Sequence, residues 1–330
     1  MTSGLPLPMT RPPMPINADK PHLWKADIAA SVDQFNRWFM KAAPKAYRET
    51  RVRVTREVID ALQLTTNHRA INPEVLAQHP AVLPTLRMST SPPLAVDRLV
   101  GLAGCNKALV MGMEKHGRIA PRMSKAAVTV ELAKICGVVS KLLDPDVFPW
   151  IPGKTTPSSR DRERAATIVA DRLCGAVANP IVRNAQEKRQ LELIDSYLRR
   201  RGYRRQAHPN SRPLTEMEPG TYAFRMNVVV GKENPVNLPI DVVVQPKRPR
   251  SHRLPVLIEA KSAGDFTNTN KRRKEEATKI RQLQATFGQA AQLILFLCGY
   301  FDSGYLGYEA AEGIDWVWEH RISDLEKLGL

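Results

Sequence analysis

The fold is decided by residues 237–261, NLPIDVVVQPKRPRSHRLPVLIEAK, in which two apolar runs, 237–245 and 254–261, flank the basic turn KRPRSHR. The β-branched content of both runs predicts strands, and their proximity predicts that they pair through the turn. Side chains alternate between faces along a strand, so Glu259 and Lys261 project from one side, at the end of a strand led in by Val256, Leu257 and Ile258. Pairing brings Asp241 toward Glu259. Two carboxylates beside a lysine suit a divalent metal and a water activated by it, because Mg2+ takes hard oxygen ligands and an ammonium can orient the water or offset charge on a phosphate. A lone Glu-x-Lys carries little weight, since about one arises by chance in a chain this charged. The structural alternative is an ion pair of Glu259 with Lys261 or Arg253.

Working outward, TYAFRMNVVV (221–230) reads as a third strand, 271–287 as a helix burying Ala277, Ile280, Leu283 and Phe287, and 292–299 and 314–319 as further strands. Helices are expected over 160–178 and 182–201, the latter stopped at Gly202. The order describes an α/β (α+β) fold with a mixed central sheet flanked by helices. Upstream, apolar spacing predicts helices over 25–42, 52–63, 96–115 and 123–142, a mainly helical N-terminal domain. Six prolines among residues 1–22 predict a flexible tail, and four within 144–161 predict a boundary. The expected organisation is therefore a tail at 1–22, a helical domain at 23–150 and a second domain at 160–330.

The formal net charge of the 330 residues is +16, which points to a polyanionic partner without separating enzyme from binder. The excess is local: 151–300 carries 27 basic and 14 acidic side chains, net +13, whereas 301–330 carries 2 and 7, net −5. The longest apolar run, Leu293–Cys298, is too short to span a bilayer and no export signal opens the chain, so a cytoplasmic protein is expected. Cys105, Cys136, Cys174 and Cys298 form no C-x-x-C pair, which argues against a zinc ribbon or a disulfide scaffold.

The stretch LIEAKSAGDFTNTNKRRKEE (257–276) resembles the catalytic core of the PD-(D/E)xK superfamily of restriction endonucleases, with Asp241, Glu259 and Lys261 in the three places of the pattern. Pro239 departs from it by standing two residues before the aspartate rather than one. RNAQEKRQL (183–191) is similar to the helix that precedes the sheet in such nucleases, and LRMSTSPPLAVDRLVGLA (86–103) resembles the XamI group of type II enzymes. The resemblance implies Mg2+-dependent hydrolysis of double-stranded DNA leaving 5′-phosphate ends, metal ligation by Asp241 and Glu259, and water activation by Lys261. It also implies a homodimer suited to a palindrome, and the site GTCGAC for the XamI group. A glutamate of the preceding helix often joins the metal in this superfamily. Glu187 shares an apolar stripe with Leu191, Ile194 and Leu198, whereas Glu192 falls on the polar face, so Glu187 is favoured, with an ion pair to Arg183 or Arg225 as the alternative.

Lys271, Arg272, Arg273 and Lys274 open the helix after Lys261, where cations oppose the helix dipole; phosphate contact explains them, as does a solvated face with Glu275 and Glu276. Asn268 and Asn270 lie in the same loop and are DNA-contact candidates, and the arginines at 199–201, 204 and 205 form a second basic cluster. No G-x-x-x-x-G-K-[ST] loop and no methyltransferase motif is present, since Asn179-Pro180 continues into Ile181-Val182; a protecting DNA methyltransferase is expected as a separate protein. Two other functions compete: a basic nucleic-acid-binding protein without chemistry, and a repair or resolvase nuclease on the same core.

Overall fold

A computed structural model of the chain describes residues 15–119, 123–209, 212–231, 233–248, 254–266 and 269–330, without the side chains of residues 178–179 and 269–272. The chain divides into two compact units, one of residues 1–42 and 183–330 and the other of residues 43–182.

The larger unit is built on a six-stranded sheet in chain order: β1 (Arg204–Arg205), β2 (Thr221–Val230), β3 (Val236–Gln245), β4 (Val256–Ala263), β5 (Leu293–Gly299) and β6 (Asp315–Trp318). β2, β3 and β4 run antiparallel to one another, whereas β5 and β6 continue parallel to β4. All seven residues of β5 are buried, as befits a strand covered on both faces. One face packs under α8 (Thr269–Phe287) and α9 (Ser303–Ala311), through Ile280, Leu283, Tyr305 and Leu306. The other packs Val242, Val244, Val256 and Ile258 against Ile194, Tyr197 and Leu198, from the C-terminal part of α7 (Ser159–Arg200), and against Leu325 and Leu328. α7 ends where Gly202, at φ 73°, lets Tyr203 N–H turn back to the Leu198 carbonyl.

Residues 43–182 hold α2 (Pro73–Gln78), α3 (Leu83–Met88), α4 (Val96–Ala103), α5 (Lys107–His116) and α6 (Lys125–Leu142), with parts of α1 (Pro21–Leu64) and α7. One core gathers Leu76, Leu86, Leu109 and Leu132, and a second Val58, Phe148, Trp150 and Val169. His68 is buried in this unit between the Thr65 and Ser89 hydroxyls, each 2.9 Å away, and burial pulls its imidazole down to about 3, so it is neutral.

Several expectations change. The proline-rich stretch 144–161 is not where the units part: its Phe148 and Trp150 are core residues, so the prolines break helical periodicity without releasing the chain. The expected helices at 25–42 and 52–63 belong to one helix, α1, and those at 160–178 and 182–201 to α7, which runs through Pro180. The helix expected over 96–115 is two, because Gly104 adopts a left-handed conformation and Asn106 caps a new start. Of the tail at 1–22, residues 1–14 lie outside the described residues. The next few are pinned, since the Asp315 carboxylate accepts the Ile16, Asn17 and Ala18 amides. Among the described residues no single helix is long and apolar enough to cross a membrane.

Gly299 closes β5 at φ 101°, and a Cβ there would run into the Ala263 carbonyl oxygen, the acceptor of Tyr300 N–H. Gly299→Ala therefore adds left-handed strain of about 1–2 kcal/mol to a backbone clash and should lower Tm by several degrees, measured by circular dichroism.

Candidate active site

The site forms where β3 and β4 part. Their ladder runs from Val244↔Val256 to Val242↔Ile258, while β3 continues along β2 toward Val236 and β4 continues along β5 to Ala263. Beyond the last pair, the Ala260 amide finds a side chain in place of a strand partner, donating to Asp241 Oδ2 at 2.8 Å. The β2–β3 pair changes faces at the same level. Met226, Val228, Leu238 and Ile240 belong to the core under α8, whereas Tyr222, Val242 and Val244 belong to the opposite one. Arg225, in line with Asp241, carries the change with φ 50°, a conformation that a non-glycine residue adopts at a cost.

Glu259 and Lys261 share the face covered by α8, as alternation requires. Glu259 is 3% exposed, and its Oε1 accepts from Lys279 Nζ at 2.6 Å, while Lys261 Nζ lies 3.5 Å from its Oε2. Lys279, one helical step from the core residue Ile280, also donates to the Pro239 carbonyl at 3.0 Å. Lys261 Nζ lies 3.5 Å from Glu276 Oε1 as well. Burial raises the Asp241 carboxyl above its ordinary value, and the charge of Glu259 adds to this. For Lys261, burial pulls downward, but Glu259, Glu276 and Asp241 together outweigh it and hold the ammonium above the ordinary lysine value. Three acids and two lysines are thus packed into one largely buried cluster, in which the lysines offset the acids and Asp241 and Glu259 repel one another.

From the other face, Gln190 of α7 fixes the strand ends: its Nε2 donates to the carbonyls of Lys261 at 3.3 Å and Phe296 at 3.2 Å. Gln186 and Gln190 occupy the buried stripe of α7 above Ile194. Glu187 sits on its flank, a third exposed, and accepts from Arg225 at 3.0 Å, one of the two ion pairs considered for it. Glu192 is exposed, 3.8 Å from Lys188. Among the described residues no three acidic, histidine or cysteine side chains form a metal-holding group, so Glu187 is not gathered with Asp241 and Glu259. Asn268 lies outside the described residues, as do the side chains of Asn270, Lys271 and Arg272. The Arg273 guanidinium stacks on the Tyr308 ring, 4.2 Å from its centre, and Lys274 is exposed. In the second basic cluster Arg199, Arg201 and Arg204 pair with Asp195, Glu326 and Glu218.

Asp241 and Glu259 are suited to a divalent cation. Both offer hard oxygens in a largely enclosed place, and no described residue donates to Asp241 Oδ1, whereas Glu259 Oε1 reaches an ion only by releasing the Lys279 ammonium. A pair of carboxylates is enough for Mg2+, which usually keeps waters and takes phosphate oxygens besides one or two protein ligands.

The sequence model of the XamI restriction endonuclease family matches residues 66–318, most of both units. The chain belongs to this family. It is also 61% identical over 314 residues to the type II restriction enzyme SalI of Streptomyces albus G, covering 95% of this chain and 99% of that enzyme. No solved structure matches it. As a XamI-family protein the chain is a restriction endonuclease rather than a binding module without chemistry, and its mixed sheet flanked by helices is consistent with the core of such enzymes.

Gln190 is fully buried and serves two carbonyls. Gln190→Leu removes both bonds from carbonyls of the β4–β5 ladder and should cost about 1–3 kcal/mol of unfolding free energy, read from urea denaturation.

Proposed function

We propose that this XamI-family enzyme is a Mg2+-dependent type II restriction endonuclease that hydrolyses phosphodiester bonds of double-stranded DNA at GTCGAC. The proposal rests above all on the fork, where Asp241 and Glu259 stand at opposite positions of β3 and β4 beside the half-buried Lys261. Asp241 and Glu259 hold the metal, and the Ala260 amide keeps the Asp241 carboxylate turned toward Glu259. Bound there, Mg2+ would supply a Lewis acid for the scissile phosphate and lower the pKa of a nearby water. Lys261, held between Glu259 and Glu276, orients the attacking water and offsets negative charge growing on the phosphate. The water releases a proton to solvent as its oxygen bonds to phosphorus in line with the breaking P–O3′ bond, and the O3′ leaves with a proton from solvent, giving 5′-phosphate and 3′-hydroxyl ends. Glu187 joins the metal only by giving up Arg225.

Lys271, Arg272 and Lys274, with Asn268 and Asn270, are assigned to the DNA backbone near the start of α8, while Arg273 anchors that turn on Tyr308. The net charge of +13 over 151–300 supports a DNA-facing surface around the sheet. GTCGAC follows from the resemblance to the XamI group, and the high identity to SalI favours a site-specific type II enzyme over a repair or resolvase nuclease. Cutting both strands of a palindrome suits a homodimer, and a separate DNA methyltransferase protects the host.

With Mg2+, the purified protein should cut plasmid DNA into discrete fragments ending at GTCGAC, and chelation should stop it. Asp241→Ala and Lys261→Ala should bind the same DNA within about threefold of wild type yet cut at least about 1000-fold more slowly, near 4 kcal/mol of lost transition-state stabilisation. A variant that cuts like wild type removes its residue from the site. Lys274→Ala should reduce the slope of log affinity against log salt by about 0.9, measured by anisotropy titration, with cleavage at saturating DNA retained.

A further inference from the structure

Behind Lys261 the two covering helices bury acids that the metal site does not use. Glu276, on the α8 stripe of Ile280 and Leu283, is 0% exposed, and Glu309, on α9 beside Leu306, is 1% exposed. Tyr305 O–H donates to Glu276 Oε2 at 2.7 Å, and Glu276 Oε1 faces Lys261 Nζ at 3.5 Å. Neither carboxylate oxygen of Glu309 meets a hydrogen-bond donor among the described residues. An ionised carboxylate buried without a donor costs several kcal/mol, so this arrangement is tolerable only with a proton on the pair. Two adjacent carboxyls resolve the problem by sharing one, as the acid of one donates to the carboxylate of the other. The groups facing Glu309 are Glu276 and Arg273 from α8 and Tyr305 from its own helix; burial first, then the Glu276 charge, push the Glu309 carboxyl up to about 9.

We propose that Glu276 and Glu309 form an acid–carboxylate pair that positions Lys261: neutral Glu309 donates its proton to Glu276, and Glu276, fixed by Tyr305, holds the Lys261 ammonium from α8 while Glu259 holds it within β4. The pair consists of positioning residues that act through Lys261 and touch no substrate. This inference rests on the reading of Lys261 as catalytic.

The test uses full-length Glu276→Gln, Glu309→Gln and Lys261→Ala with a duplex containing GTCGAC. Single-turnover cleavage in Mg2+, DNA affinity, and Tm from pH 5 to 9 are measured. Glu276→Gln should cut about 10- to 100-fold more slowly, as a misplaced catalytic group does, with DNA affinity within about twofold of wild type. For Glu309 the folded state binds its proton more tightly than the unfolded chain. Its stabilising effect is therefore complete below the ordinary glutamate range and is lost as pH rises toward about 9. Glutamine has no such proton, so the Tm of Glu309→Gln relative to wild type should climb across that window. The inference is overturned if Glu276→Gln cuts at the wild-type rate, if it loses rate and affinity in parallel, or if the Tm difference for Glu309→Gln is flat with pH. Should Glu276→Gln not fold, the Glu309→Gln series decides alone. If Lys261→Ala cuts like wild type, the active-site reading itself fails; if Lys261→Ala is inactive while Glu276→Gln is unimpaired, only the positioning role fails.

Discussion

Where β3 leaves β4, the Ala260 amide loses its strand partner and takes the Asp241 carboxylate instead. A buried N–H left without an acceptor would cost about 1–3 kcal/mol, so the separation of the strands and the placement of the aspartate depend on each other. The remaining geometry follows from this exchange. β3 is free to follow β2 through the face change at Arg225, and β4 is free to follow β5. Asp241 is then held opposite Glu259, with Lys261 two residues further along the same face. Had the ladder continued, the Ala260 amide would be spent on a β3 carbonyl and the aspartate would be one more strand side chain.

The fork concentrates charge in a place that apolar packing would otherwise fill. Asp241, Glu259, Lys261, Lys279 and Glu276 are all buried or nearly so, and replacing such clusters with hydrophobic residues commonly stabilises a protein. The sheet tolerates the cluster because each carboxylate meets an ammonium or an N–H, and because β5 behind it is apolar along its whole length. The proposed phosphodiester hydrolysis would account for keeping it, since that reaction asks for acids ready for a cation and a lysine that stays charged beside them. Lys279 links the two demands, since its ammonium balances Glu259 while α8 packs through Ile280.

Much of this was legible in the sequence. The β-branched runs of β2, β3 and β4 and the apolar run of β5 marked the sheet almost to the residue, and simple alternation put Glu259 and Lys261 on one face. The stripe Ala277, Ile280 and Leu283 marked the buried side of α8. Glu276 lies on that stripe, four residues before Ile280 and seven before Leu283, and this spacing overrides the solvated face on which its charge, beside that of Glu275, places it. The burial of Glu309 was not legible, because α9 is short and its partner is distant in sequence. Lys279 was hidden for a like reason, as a lysine beside a stripe usually reaches solvent. On α7 the stripe beside Ile194 is filled by Gln186 and Gln190, amides whose partners are strand carbonyls on other elements, and Glu187 turns to Arg225. Proline content misled at 144–161, where Phe148 and Trp150 decide the packing.

The central claim, that the acids at the fork hold the catalytic metal, is tested most directly by anomalous diffraction from crystals of the enzyme with DNA and Mn2+ in place of Mg2+. The account predicts an anomalous peak at bonding distance, roughly 2.0–2.3 Å, from both an Asp241 and a Glu259 carboxylate oxygen, beside a DNA phosphate. A peak at the phosphate that touches neither carboxylate would contradict it.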